Sequence, residues 1–228
     1  TARALILNSP NNPTGAVYTR KELEEIAVVL EKHKNIVIIS DEIYRNLVYG
    51  GEKHISIAVL SEEMKERTII IDGMSKSYAM TGWRLGWAIA PENVAKAMTR
   101  AQSHMTSNVN SITQYASLTA LTDREHSEKF ISEMRETFAE RRILAIETLQ
   151  KAGVPFIKPN GAFYVLADVS KSFGKKSPSG EIIENSVDFA DKLLTESGVA
   201  VVPGVAFGAD NYVRISYALG SDSIKKGI

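Results

Sequence analysis

Three loop segments and one isolated strand hold most of the side chains able to act together on a small molecule. The first is Asn8 followed by Asn12-Pro13-Thr14-Gly15. The second is Asp41-Glu42-Ile43-Tyr44, and the third Asp72-Gly73-Met74-Ser75-Lys76-Ser77, with Arg84 eight residues beyond Lys76. Arg214 lies in the alternating run Tyr212-Val213-Arg214-Ile215-Ser216-Tyr217. Together they offer an amide, a carboxylate, a phenol, an amine and two guanidinium groups. The four His (His33, His54, His104, His126) are scattered and there is no Cys, so a His-built or thiolate metal centre is not expected.

The elements that must position these groups follow from apolar periodicity. Ala4–Leu7, Ile36–Ile39 and Thr68–Ile71 are short continuous apolar runs of the kind buried in a parallel sheet, and Arg84–Ala90 reads as a fourth strand. Between the first two, Thr19 with Glu22 is a capping-box pattern, and Leu23, Ile26, Ala27 and Leu30 form a helical stripe. Strand, helix, strand implies a right-handed crossover in an α/β layered domain. Each of the three loop segments then follows a strand. If those strands are parallel, the segments open on one edge of the sheet, where ligands of such folds bind.

From Pro91 the pattern becomes helical: Pro91–Met105, Ser111–Leu121, and a long helix from about Ser127 to Ala152 with Phe130, Met134 and Phe138 on one face. Strands at Ala162–Val169, Val199–Val202 and Tyr212–Tyr217 surround a helix at Val187–Glu196, a small α+β unit. Lys171–Gly180 reads as an exposed loop, and Ser221-Asp222 as a helix cap. The division predicted is residues 1–135 as part of a large domain and 136–228 as a small one. The first and last residues run directly into element-like sequence, which suggests a piece of a longer chain.

Composition narrows the function. The 228 residues carry 27 Lys+Arg against 27 Asp+Glu, which argues against a nucleic-acid partner or a polybasic membrane surface. No run approaches the roughly 18 apolar residues of a membrane span. Taken one at a time, the chemical residues also have plain explanations. Asn-Pro-Thr-Gly is a generic turn, Asp41 a helix cap, Lys76 a solvated loop lysine, Arg84 a surface ion-pair partner and Arg214 an outward strand residue.

In this order, however, Asn-Pro-Thr-Gly, Asp-Glu-Ile-Tyr, Ser-Lys-Ser…Met-Thr-Gly-Trp-Arg and Val-Arg-Ile-Ser-Tyr-Ala resemble the fold-type-I pyridoxal-phosphate aminotransferases. The bacterial and archaeal aspartate/aromatic class is the nearest match, and the resemblance covers essentially the whole chain. It implies the later part of a large, mostly parallel three-layer α/β domain plus a small α+β C-terminal domain. It further implies amino transfer between an L-amino acid and a 2-oxo acid through a pyridoxal 5'-phosphate Schiff base on Lys76. Asp41 would keep the pyridine nitrogen protonated, while Tyr44 and Asn12 would hydrogen-bond the ring's phenolate oxygen. Arg84 and Ser75 would hold the phosphate. Arg214, with help from Asn12, would grip the substrate α-carboxylate, and a clamp on a second domain would give a closing motion. A cytoplasmic homodimer with shared sites is the family expectation, and the 228 residues alone are expected to be inactive.

Two departures stand out. Some relatives carry Ser three residues before the Schiff-base lysine, where this chain has Gly73, so the phosphate cup would lean on Ser75. The segment Ser103–Asn110, which matches the family stretch crossing to the partner's site, has no Arg for a distal carboxylate. Other readings stay open. A fold-type-I lyase or synthase shares these motifs, and a non-catalytic aminotransferase-like effector domain of a regulator would too. Gly73-Met74-Ser75-Lys76-Ser77 also matches four of five positions of the nucleotide loop of class I aminoacyl-tRNA synthetases. The His-x-Gly-His-like element those enzymes need is missing from the nearest string, His54-Ile55-Ser56-Ile57.

Overall fold

The computed structural model describes residues 2–228 and divides into two compact units. The first comprises residues up to Pro10 together with Val17–Arg135, and the second Asn11–Ala16 together with Glu136–Ile228.

In the first unit β1 (Ala4–Asn8), β2 (Val37–Asp41), β3 (Thr68–Gly73) and β4 (Gly86–Ile89) form one sheet in that order. The first two pairings are parallel, with Asn8 opposite Asp41 and Asp41 opposite Ile71, so the three loop segments do leave the same edge. The fourth strand is antiparallel and begins two residues later than its apolar run suggested. Arg84 has left-handed backbone (φ 54°), which ends the preceding turn and keeps this residue out of the strand.

Alternation decides which strand face is covered. Leu5, Leu7 and Ile38 pack against Leu23, Ala27 and Leu30 of α1 (Arg20–Glu31) and against Met64 of α2 (Glu62–Arg67). The Thr19–Glu22 capping box forms at the start of α1 as expected. Its far end is held by Arg67. That guanidinium donates to the carbonyls of Leu30 (3.1 Å), His33 (2.8 Å) and Ile36 (2.8 Å) and pairs with Glu63. One planar fork thus adds a donor to the Leu30 and His33 carbonyls, which already accept from His33 N and Ile36 N, and supplies the Ile36 carbonyl.

Helices α3 (Met74–Ser77), α4 (Glu92–Met105) and α5 (Ser111–Thr122) follow, and the boundary between the units falls within α6 (Arg124–Lys151). This long helix starts three residues before the expected Ser127, and Phe130 on its early part stays 44% exposed. Phe138 alone of the three predicted face residues stacks on an aromatic ring, that of Phe163 (5.3 Å).

The second unit holds an antiparallel sheet ordered β5 (Phe156–Ile157), β6 (Tyr164–Asp168), β8 (Tyr212–Ser216), β7 (Val202–Pro203). Val165, Ala167 and Val213 pack there with Leu149 of α6. Of the strand expected at Val199–Val202 only Val202 is kept, in a two-residue strand with Pro203 that pairs with Arg214 and Val213. Helix α7 (Ser186–Ser197) is capped by the Asn185 side chain. The loop read as exposed at Lys171–Gly180 is partly anchored, since Ser177 is buried and hydrogen-bonds Glu196 (2.9 Å). Helix α8 (Ser221–Gly227) is capped by Gly220, so Ser221-Asp222 forms its first turn instead of its cap.

Among the described residues no helix is long and apolar enough to cross a membrane, and no group of three metal-ligating side chains occurs. Arg67→Lys keeps the charge but loses the fork. We expect it to cost about 1–3 kcal/mol, the scale of hydrogen bonds to a charged group, as a lowered urea midpoint with unchanged slope.

Candidate functional site

At the carboxyl edge of the first unit's sheet, backbone bonds fix the ends of the strands against each other. The Asp41 carbonyl accepts from Ser9 N (3.2 Å) and from the Asn8 amide (3.3 Å). The Asp41 side chain is partly buried and accepts from Ile43 N (3.2 Å). This is an Asx turn. Asp41 therefore caps a turn and not a helix, the simplest explanation of its presence. The turn carries Tyr44 inward, where it is 4% exposed.

Lys76 comes to Tyr44 from the next strand end. Its Nζ lies 5.5 Å from the Tyr44 ring centroid, and Lys76 is partly buried on α3, so it is not a solvated loop lysine. The tight exit from β3 needs glycine at two places. A Cβ on Gly73 would come within 2.9 Å of both the Gly86 Cα and the Leu85 carbonyl oxygen. A serine at position 73 therefore does not fit this backbone. Ser75 stands partly buried in the same loop, and the Ser77 hydroxyl is buried with no hydrogen-bond partner among the described residues. Arg84 is exposed, and its Nη1 donates to the Thr81 carbonyl (3.0 Å).

Asn12 and Arg214 belong to the second unit and meet there. Arg214 Nη1 donates to Asn12 Oδ1 (2.9 Å) across 202 residues of sequence. The turn bearing Asn12 is held by its own side chains, with Asn11 Oδ1 accepting from Thr14 N and Oγ1. It is tied to the unit by the Gly15 carbonyl, which accepts from Asn160 N and Gly161 N (2.8 Å each). Gly15 has φ +69°, and a Cβ there would lie 2.4 Å from that of Pro159. The Arg214 guanidinium sits over the rings of Tyr164 (4.5 Å) and Phe207 (5.1 Å), while its buried Nε has no hydrogen-bond partner among the described residues. Stacking fixes the plane of the fork. Arg214 is thus an inward-turned residue. Tyr164 and Phe207 were not legible as part of this group; Tyr164 is recoverable from the β6–β8 pairing, which sets it two residues from Leu166, the partner of Arg214.

Beneath the first unit's edge lie charges that the motifs did not single out. Asp72, 4% exposed, pairs with Arg45 Nε (2.6 Å) and accepts from Gly73 N (2.7 Å). Burial is the largest influence on Asp72 and raises its carboxyl above the usual range, against the opposing pull of Arg45. Burial also pushes Glu42 up, but hydrogen bonds from His54, Ser56 and Ser40, together with the His54 charge, outweigh it. Its carboxyl therefore sits below the usual range.

The family model for class I and II aminotransferases matches residues 1–226. The chain belongs to this family. It is 46% identical to the aspartate aminotransferase of Bacillus sp. strain YM-2, over 99% of this chain and 56% of that protein. The aspartate aminotransferase structure from Rhizobium meliloti superposes with a TM-score of 0.92 at 40% identity, over 99% of this chain and 56% of that one. The aromatic aminotransferase from Pyrococcus horikoshii gives 0.90 at 43% identity, over 99% and 57%. The chain thus spans a little over half the length of these relatives. Their fold agrees with the parallel-rich α/β architecture described above.

The raised Asp72 carboxyl gives a pH prediction with a definite sign. A group whose folded pKa exceeds its unfolded one stabilises below the unfolded value and loses that contribution as pH rises through the folded one. Asp72→Asn cannot titrate and keeps the acceptor for Gly73 N. Its stability relative to wild type is expected to increase as pH goes from acid to neutral, followed by urea unfolding at a series of pH values.

Proposed function

We propose that these residues work within a pyridoxal-phosphate-dependent aminotransferase that moves an amino group between an L-amino acid and a 2-oxo acid. The observation that carries this reading is the convergence of Lys76, Tyr44 and Asp41 at the carboxyl edge of three parallel strands. The residues present fit the group. An amine lies beside a phenol ring, a carboxylate stands at the end of β2 held by its Asx turn, and close packing of Gly73 on Gly86 fixes the loop that carries the amine.

In this reading Lys76 would hold the cofactor covalently, and its Nζ would carry the proton at the substrate α-carbon. When bound, the cofactor would supply an electron sink. Asp41 holds the proton on the ring nitrogen by placing a carboxylate opposite it, and the Asx turn keeps that carboxylate oriented. Tyr44 donates its hydroxyl to the ring oxygen, with Asn12 as a second hydrogen-bond partner. Ser75 and Arg84 bind the phosphate, for which the exposed Arg84 turns its fork from the Thr81 carbonyl. Arg214 binds the substrate α-carboxylate, and its stacked plane and unpartnered Nε support a two-pronged contact that a lysine cannot make.

A fold-type-I lyase would use the same anchor, and the names of the relatives, aspartate and aromatic aminotransferase, favour transfer. They also indicate the donors to assay first. Because the chain spans a little over half of those relatives, we infer that turnover requires the full-length protein and that the 228 residues alone are silent in the assay. A homodimer and a cytoplasmic location are part of the same reading.

Two measurements test it on the full-length protein. Added pyridoxal phosphate is expected to give a visible absorbance band that Lys76→Ala abolishes, and one 2-oxo acid should be aminated per donor consumed. No band in the wild type would sink the reading, while donor consumption with release of ammonia would replace transfer by elimination. Arg214→Lys should raise KM for the donor about tenfold or more, the factor for losing roughly 1.4 kcal/mol of binding.

A further inference from the structure

Asp41 and Glu42 are neighbours in sequence, yet only Glu42 is drawn into the protein beneath the edge, at 4% exposure. Its carboxylate is fully engaged. Oε1 accepts from Ser40 Oγ (2.9 Å), Oε2 faces His54 Nε2 (2.8 Å), and Ser56 adds a further side-chain hydrogen bond. Since a carboxylate only accepts, the proton of this contact lies on His54 Nε2. His54 is 11% exposed, and its buried Nδ1 has no partner among the described residues. The histidine is spent on Glu42 alone.

Glu42 is also coupled to the loop that carries Lys76. Its N–H donates to the Ile71 carbonyl (2.9 Å), and its own carbonyl accepts from Arg45 N (2.8 Å), whose guanidinium pairs with Asp72 (2.6 Å), the residue just before Gly73. The Glu42 charge pushes the Asp72 carboxyl further up. Glu42 also shares its turn with Tyr44, whose ring centroid lies 5.5 Å from Lys76 Nζ. Arg45 neutralises only one of the two buried carboxylates, so the state of Glu42–His54 sets the remaining charge. Burying such a pair is costly, and apolar residues of similar size would pack as well.

We propose that Glu42 is a positioning residue for the Lys76 site. Held anionic by His54, Ser40 and Ser56, it places a fixed negative charge beneath the loop and so sets the pH at which the Lys76-linked cofactor gains its proton. This rests on the reading of Lys76 as the cofactor's anchor.

The test uses the full-length protein loaded with pyridoxal phosphate and follows the pH midpoint of the visible band. Glu42→Gln removes the charge while keeping the shape. The protonated, cationic form loses a stabilising neighbour, so the midpoint should fall by about half a unit or more, the scale of one partly screened charge. His54→Gln keeps a donor for Glu42 and removes the imidazole whose charge offsets the carboxylate, so the midpoint should hold or rise, opposite in sign to Glu42→Gln. A merely structural role would lower Tm or cofactor affinity in both variants and move neither midpoint. If Glu42→Gln does not fold, Ser40→Ala with Ser56→Ala strips two donors from the carboxylate and should shift the midpoint the same way by less. A wild-type band that Lys76→Ala abolishes, with an unmoved or raised midpoint in Glu42→Gln, overturns this inference alone. No wild-type band overturns it together with the reading of Lys76.

Discussion

The parallel register of β1, β2 and β3 is the constraint on which the first unit's chemistry depends. Asn8 stands opposite Asp41, and Asp41 opposite Ile71, because Leu5, Leu7 and Ile38 must all face α1. Side chains alternate along a strand, so a slip of β2 by one residue would exchange its two faces. Such a slip would bury Asp41 and present Glu42 at the edge, an acid with its donors on the wrong side. The fully buried Ile38 holds the register, and with it the choice of which carboxylate is available to a ligand.

Three acidic groups within a few residues of that edge thus meet three environments. Asp41 is partly buried and spends one oxygen on the Asx turn. Glu42 is buried but supplied with three donors, which more than offset the burial. Asp72 is equally buried, yet with one ion pair and one backbone donor it remains on the costly side of the balance. Burial alone would have treated Glu42 and Asp72 alike, so the number of donors separates them.

Much of this was legible in the sequence, for identifiable reasons. Continuous apolar runs gave β1, β2 and β3 almost to the residue, and Thr19 with Glu22 marked the start of α1. The motifs singled out Lys76 and Tyr44, which lie side by side, and Arg214 and Asn12, which hydrogen-bond each other. Strand ends were less legible where backbone conformation intervened, as with left-handed Arg84 before β4. The buried acids were illegible because Asp-Glu and Asp-Gly carry no sign of which carboxylate turns inward. Nothing in Gly-Glu-Lys-His announces that His54 returns to Glu42 across twelve residues. Tyr164 and Phe207 reach Arg214 only through pairing and a turn that periodicity does not encode.

The second unit reaches a comparable precision by a different route. Arg214 has no buried carboxylate to pair with among its described contacts. Its cation is accommodated by two aromatic faces, which attract charge without neutralising it, and by one amide oxygen. A formal counter-ion would have occupied the fork and closed it to any anion. Rings hold its plane while its buried Nε has no hydrogen-bond partner among the described residues. Close backbone approaches at two glycines make the arrangement rigid. A Cβ at Gly15 would strike Pro159, and one at Gly204, which opens the turn carrying Phe207, would lie 2.0 Å from the Ala209 carbonyl oxygen. The orientation of the Arg214 guanidinium is therefore built from backbone fit and stacking, without a carboxylate beside it among its described contacts.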